Sequence, residues 1–175
     1  MNLPFGVEEF LQVFARYNQA IWPIQILAYA LGIGSLRIMF RGRHPSSAPS
    51  FILAALWFWT GIVYHLVFFS SINPAAYLFG LLFIWQGALW LRTGFSKQGL
   101  VFRVQPTARS FVGLLLIAYA LMIYPLFGIA LGHTYPQMPM FGVTPCPLTI
   151  FTLGVLLSAE GDVPRAMWLI PVGWS

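Results

Sequence analysis

Residues Phe111–Leu131 read FVGLLLIAYALMIYPLFGIAL and contain no Asp, Glu, Lys or Arg. The run is apolar on every face. It is also about as long as a helix must be to cross a hydrocarbon core, roughly 20 residues. In lipid each backbone N–H and C=O needs a partner within the segment, so the run is expected to be a transmembrane helix. A barrel strand would alternate polar and apolar residues over about ten positions, and this stretch does not.

The sequence on either side follows the same rule. No Asp, Glu, Lys or Arg occurs from Ser110 to Ala159 or from His44 to Leu91. Charged residues make up 7% of the 175-residue chain and hydrophobic residues 59%, whereas about a quarter of a soluble domain is charged. The composition excludes an ordinary soluble domain and a disordered chain. The single cysteine, Cys146, excludes an intrachain disulfide scaffold. The net charge of +5 does not imply a nucleic-acid partner, because the basic residues are scattered between apolar runs and form no basic face.

Hydropathy predicts crossings over about 18–40, 51–70, 74–92, 111–131 and 147–159, with a partial one over 165–175 that stops short of a full span. Residues 1–17 are expected to be an amphipathic helix that lies in the interface, the alternative being a cap packed on its own protein. Val7, Phe10, Leu11, Phe14 and Tyr17 share one face, and Glu8, Glu9, Gln12 and Arg16 take the others. The expected fold is all-α and integral to the membrane. It is a single domain of about six transmembrane helices, the last one truncated, beside the N-terminal helix.

Basic residues set the orientation. Arg37, Arg41 and Arg43 follow the first span, Arg92, Lys97, Arg103 and Arg109 follow the third, and Arg165 follows the fifth; only Arg16 lies on the other side. Positive charge stays inside. Loops 41–49 and 92–110 are therefore expected in the cytoplasm and the N-terminus outside, across a bacterial inner membrane.

This topology gathers the uncharged polar groups on the outer side. Polar side chains at membrane depth face the bundle interior or a wet cavity. The expectation is an outward-facing site of Asn18, Gln25, His65, Asn73, His133, Tyr135 and Cys146. Asn73-Pro74 reads as a helix start, with Asn73 as cap and Pro74 at the first position. His65 next to Tyr64 suits either a bond to a neighbouring helix or a relay or ligand role.

The segment His133–Pro147 carries four prolines and is expected to be rigid. It reads as a stiff plug, as a broken helix lining a substrate path, or as a soft-metal site of His133, Met138, Met140 and Cys146. The metal reading has irregular spacing and one thiol. Catalytic motifs (HExxH, GxSxG, P-loop) are absent, and Glu160 and Asp162 sit beside Arg165 as turn residues, so the chain is expected not to be an enzyme. No cofactor is specified.

Three functions fit these features: small-solute or ion transport or binding at the outward site, a non-catalytic accessory subunit of a larger membrane complex, and soft-metal binding. The expected partners are the bilayer and, for the accessory role, other membrane subunits.

Four stretches carry a family resemblance. They are Tyr17-Asn-Gln-Ala-Ile-Trp-Pro23, Ile72-Asn-Pro-Ala-Ala-Tyr-Leu-Phe-Gly80, Ile117–Tyr135 and Thr144-Pro-Cys-Pro-Leu-Thr-Ile-Phe-Thr-Leu-Gly154. In these the chain resembles an uncharacterised family of bacterial multi-span membrane proteins, known as a domain of unknown function. The resemblance implies a multi-pass fold and no activity. It also implies that the last span continues beyond Ser175.

Overall fold

The apolar runs form helices, because a backbone in apolar surroundings satisfies its hydrogen bonds most simply within one segment. The computed structural model describes residues 5–41, 47–96, 99–130 and 132–175. Arg43, Lys97 and Leu131, used above for orientation and span limits, lie outside the described residues.

Seven helices occur among the described residues. Helix α1 is Val7–Ala20. Glu8 and Glu9 lie in its first turn, where the helix dipole favours negative charge, and Glu9 Oε2 accepts from the Gly6 N–H at 2.9 Å. Pro23 lies in the short turn that follows, and α2 runs Ile24–Arg41. The first expected crossing is thus divided: residues 18–20 close α1, and the crossing helix starts at Ile24.

Helix α3, Ala48–Ser71, changes register. It is α-helical to Trp59, π-helical over Thr60–Phe68 and 3₁₀ over Phe69–Ser71. Helix α4 is Ala76–Phe95. Asn73 does not cap it as expected. Its Oδ1 accepts from the Ala75 N–H at 3.0 Å, a local turn two residues on, and the cap position belongs to Ala75. Pro74 therefore lies in the turn before the helix.

Helix α5, Ala108–Ala130, holds a π segment at Tyr119–Ile123, just before Pro125, which has no N–H for the usual helical bond. Thr107 caps its start, accepting from the Ser110 N–H. Helix α6 is Pro145–Leu157 and α7 is Ala166–Trp174.

Helices α2, α3, α4 and α5 are long and apolar enough to cross a membrane. Six crossings were expected; α6, with 13 residues, and α7, with nine, fall short of span length. Helix α6 is buried on most sides, as befits a helix that is apolar all round. Gly113 of α5 and Gly154 of α6 let two backbones meet: a Cβ on Gly154 would lie 2.6 Å from the Gly113 carbonyl oxygen. Gly61 and Gly80 do the same for α3 and α4.

Two short strands, β1 (Val101–Phe102) and β2 (Ala159–Glu160), pair antiparallel, Val101 opposite Glu160. The Val104 N–H donates to Met39 O at 3.2 Å and the Arg103 N–H to Ser158 O at 3.1 Å. These bonds gather the ends of α2 and α6 beside β1 and the start of α5, which places Arg41, Arg103 and Arg109 at one end. The opposite end holds α1, the α3–α4 turn and residues 132–144. Large apolar side chains such as Leu81, Trp85, Phe111, Leu115 and Phe127 face outward from α4 and α5.

Candidate functional site

Helix α1 is amphipathic as expected, and its apolar face lies against the bundle. Phe14 stacks on Tyr64 with ring centroids 5.7 Å apart, and Tyr17 meets Tyr64 and Phe68 edge-on at 5.3 and 5.2 Å. Gln12, Arg16 and Gln19 remain exposed.

A hydrogen-bonded latch holds α1 to the proline-rich segment. Asn18 Nδ2 donates to Pro136 O and to Met138 O, each at 2.8 Å. Gln25 Nε2 donates to Asn18 O at 2.7 Å, and the Tyr135 hydroxyl donates to the same oxygen at 3.3 Å. The Trp59 Nε1–H donates to the Tyr17 hydroxyl at 3.0 Å, which in turn donates to Val143 O at 2.6 Å. Burial pushes the Tyr17 phenol above its ordinary pKa, against the smaller opposing effect of the Trp59 bond. The hydroxyl therefore stays protonated and able to donate. Residues 134–143 are held by Tyr17 and Asn18 of α1, with Trp59 of α3 bonded to Tyr17, so the segment is fixed by more than its prolines.

Beneath the latch lies a cavity of about 520 Å³, within the usual size range of small-molecule sites. One wall is Phe5 together with Phe10, Leu11 and Phe14 of α1; another is Pro139, Thr144, Pro145 and Cys146. The rest comes from Tyr64, His65 and Phe69 of α3, Phe79 of α4, Tyr124 of α5 and Trp174 of α7. Asn73, His133 and Gln137 also line it. No Lys, Arg, Asp or Glu is among its described lining residues.

Four of the seven expected site residues therefore converge here: His65, Asn73, His133 and Cys146. The other three, Asn18, Gln25 and Tyr135, form the latch. Cys146 is exposed and shares the cavity wall with Tyr124. Of the four soft-metal candidates only His133 and Cys146 reach the cavity. Met138 is buried, its carbonyl engaged by Asn18, and Met140 O accepts from the Thr144 hydroxyl. Among the described residues no group of three His, Cys, Asp or Glu side chains is placed to hold a metal.

His65 is fully buried and packed among rings: Phe83 at 4.7 Å, Tyr64 at 5.1 Å and Trp174 at 5.3 Å between centroids. Neither ring nitrogen has a hydrogen-bond partner among the described residues. The cross-helix bond that sequence suggests for it is not made among the described residues. The π-helical stretch Thr60–Phe68 contains both Tyr64 and His65, and such widened turns recur at functional sites.

Sequence reading missed the aromatic wall. Phe10 and Phe14 were legible as one apolar face, but a face that lies on lipid and one that roofs a cavity have the same pattern. Two other cavities open at the basic end. One, beside Arg92 and Asp162, holds about 350 Å³; the other, beside Arg103 and Glu160, about 540 Å³. The second has its polar groups largely engaged, Gln105 with Glu160 at 2.6 Å and Arg109 with Leu156 O at 3.3 Å.

A family profile described as "Family of unknown function (DUF6064)" matches residues 7–175. No curated protein and no solved structure matches the chain.

Proposed function

We propose, for a chain that belongs to the DUF6064 family of unknown function, a multi-pass membrane protein that binds a neutral lipophile in the cavity roofed by α1. The carrying observation is the character of the wall: eight Phe, Tyr or Trp side chains and no formal charge among the described lining residues. An ion or a strongly polar solute would lose its hydration there with no charge to replace it. An apolar molecule gains by the area it buries, about 25 cal/mol per Å².

Four span-length helices and an exposed apolar surface support membrane insertion. The excess of Lys and Arg at the other end supports an outward-facing cavity. His65 and Trp174 are among the lining residues, with Phe83 packed against both.

Cys146, exposed and part of the wall, provides the test. Purified protein in detergent is treated with a maleimide while decylbenzene or decanoate is titrated in. Decylbenzene is expected to slow the labelling saturably, and decanoate to do so far less. Equal protection by both, or none by either, refutes the reading.

A further inference from the structure

A neutral imidazole carries one N–H donor and one bare nitrogen acceptor. Burying both without partners costs free energy, so an unpaired histidine in a cavity wall has a use for a ligand's polar atom. His65 fits that description: it is fully buried, it lines the cavity, and neither nitrogen is bonded within the described chain. Its ring is packed against Tyr64, Phe83 and Trp174, and both nitrogens are sealed from solvent, so a ligand reaches them only as this ring cluster parts.

The surrounding shape adds a second requirement. Phe69, Phe79 and Trp174 stand edge-on or nearly so around the imidazole, at 6.1, 6.0 and 5.3 Å. A planar ring entering this cluster gains the edge-to-face and offset contacts aromatic pairs prefer, about 0.5–1.5 kcal/mol per pair beyond area burial. A saturated chain gains only area. Among the described lining residues there is no charge to match an ionised head group.

We infer that His65 is the recognition group of this cavity, bonding an oxygen on a neutral planar ring, of the quinone or phenol class, whose apolar tail runs beneath α1. This rests on the lipophile-binding reading above and specifies it. The bond needs no redox step and no proton transfer. The imidazole donates to a quinone carbonyl, or donates to and accepts from a phenol hydroxyl.

The test compares two probes of equal tail length on the full chain in nanodiscs: decyl-benzoquinone, which carries ring oxygens, and decylbenzene, which does not. The variants are His65→Phe, which keeps a ring in the cluster without its nitrogens, and His65→Gln, which keeps a donor and an acceptor. Decyl-benzoquinone is expected to bind the native chain about tenfold more tightly than decylbenzene, the worth of one hydrogen bond. His65→Phe should abolish that advantage while leaving decylbenzene binding unchanged, and His65→Gln should restore part of it. Because His65→Phe removes two unpaired buried nitrogens, its melting temperature should equal or exceed the native value. If it does not fold, His65→Gln against the native chain still reads the advantage: a partly reduced advantage supports the inference, and an unchanged advantage, or none in either chain, refutes it. Equal binding of both probes, unaffected by either variant, overturns the role of His65 and leaves the lipophile cavity standing. Binding of neither probe overturns both.

Discussion

Replacing Asn18 with Leu keeps the side chain's size and removes its two bonds from the latch. Two backbone carbonyls, Pro136 O and Met138 O, then lose their donors. The bond to Met138 is buried and the one to Pro136 only partly so. An acceptor left unpaired in the interior costs about 1–3 kcal/mol, so Met138 O contributes about 2 and Pro136 O, which water can reach, about 1. The Asn18 Oδ1, itself buried without a partner, is removed as well, which returns about 1. The net loss is about 2 kcal/mol, or roughly 4–8 °C in melting temperature for a chain of this length. Differential scanning fluorimetry in detergent reads the shift, and limited proteolysis shows whether cleavage appears first between Tyr135 and Met140. Gln25→Leu removes the bond to Asn18 O, which still accepts from Tyr135, so its effect should be smaller. If Asn18→Leu melts within about 1 °C of the native chain and its proteolytic pattern is unchanged, the latch does not hold α1 to the proline segment, and the reasoning fails.

Other consequences can be checked separately. Gly154→Ala places a methyl group 2.6 Å from the Gly113 backbone oxygen, so α5 and α6 must part; a loss of about 1–3 kcal/mol is expected, read as a lower melting temperature, and an unchanged one would contradict the close approach. Orientation is read from the native cysteine: in intact cells an impermeant maleimide should label Cys146, whereas in a Cys146→Ser background Asp162→Cys, exposed at the basic end, should be labelled only after permeabilisation. The reverse pattern would invert the topology.

Much of the helical framework was legible because it follows from one physical constraint. A run such as Phe111–Leu131 has no other way to satisfy its backbone in apolar surroundings, and α5 lies where that argument placed it. The first crossing was read too long at its start, because Asn18 and Gln19 belong to the same polar-apolar pattern on either side of the turn at Pro23. Asn18, Gln25 and Tyr135 were read as cavity residues for a related reason. A polar side chain at that depth needs a partner, but sequence does not distinguish a ligand from a carbonyl 118 or 120 residues away. His65 was legible as unusual, while the cluster around it was not, because Phe83 and Trp174 reach it only through the packing of α4 and α7. The π-helical register of Thr60–Phe68 left no mark in composition.

The most direct measurement is photo-crosslinking in native membranes with a neutral decyl probe carrying a diazirine, followed by peptide mapping. Lipophile binding under α1 requires saturable adducts on the cavity wall, at Phe10–Phe14, Tyr64–Phe69 and Pro139–Cys146, displaced by excess unlabelled decylbenzene. Adducts confined to outward-facing α5 residues such as Phe111, Leu115 and Phe127, undiminished by competitor, would mean that the probe meets this protein only as bulk lipid, and would contradict it.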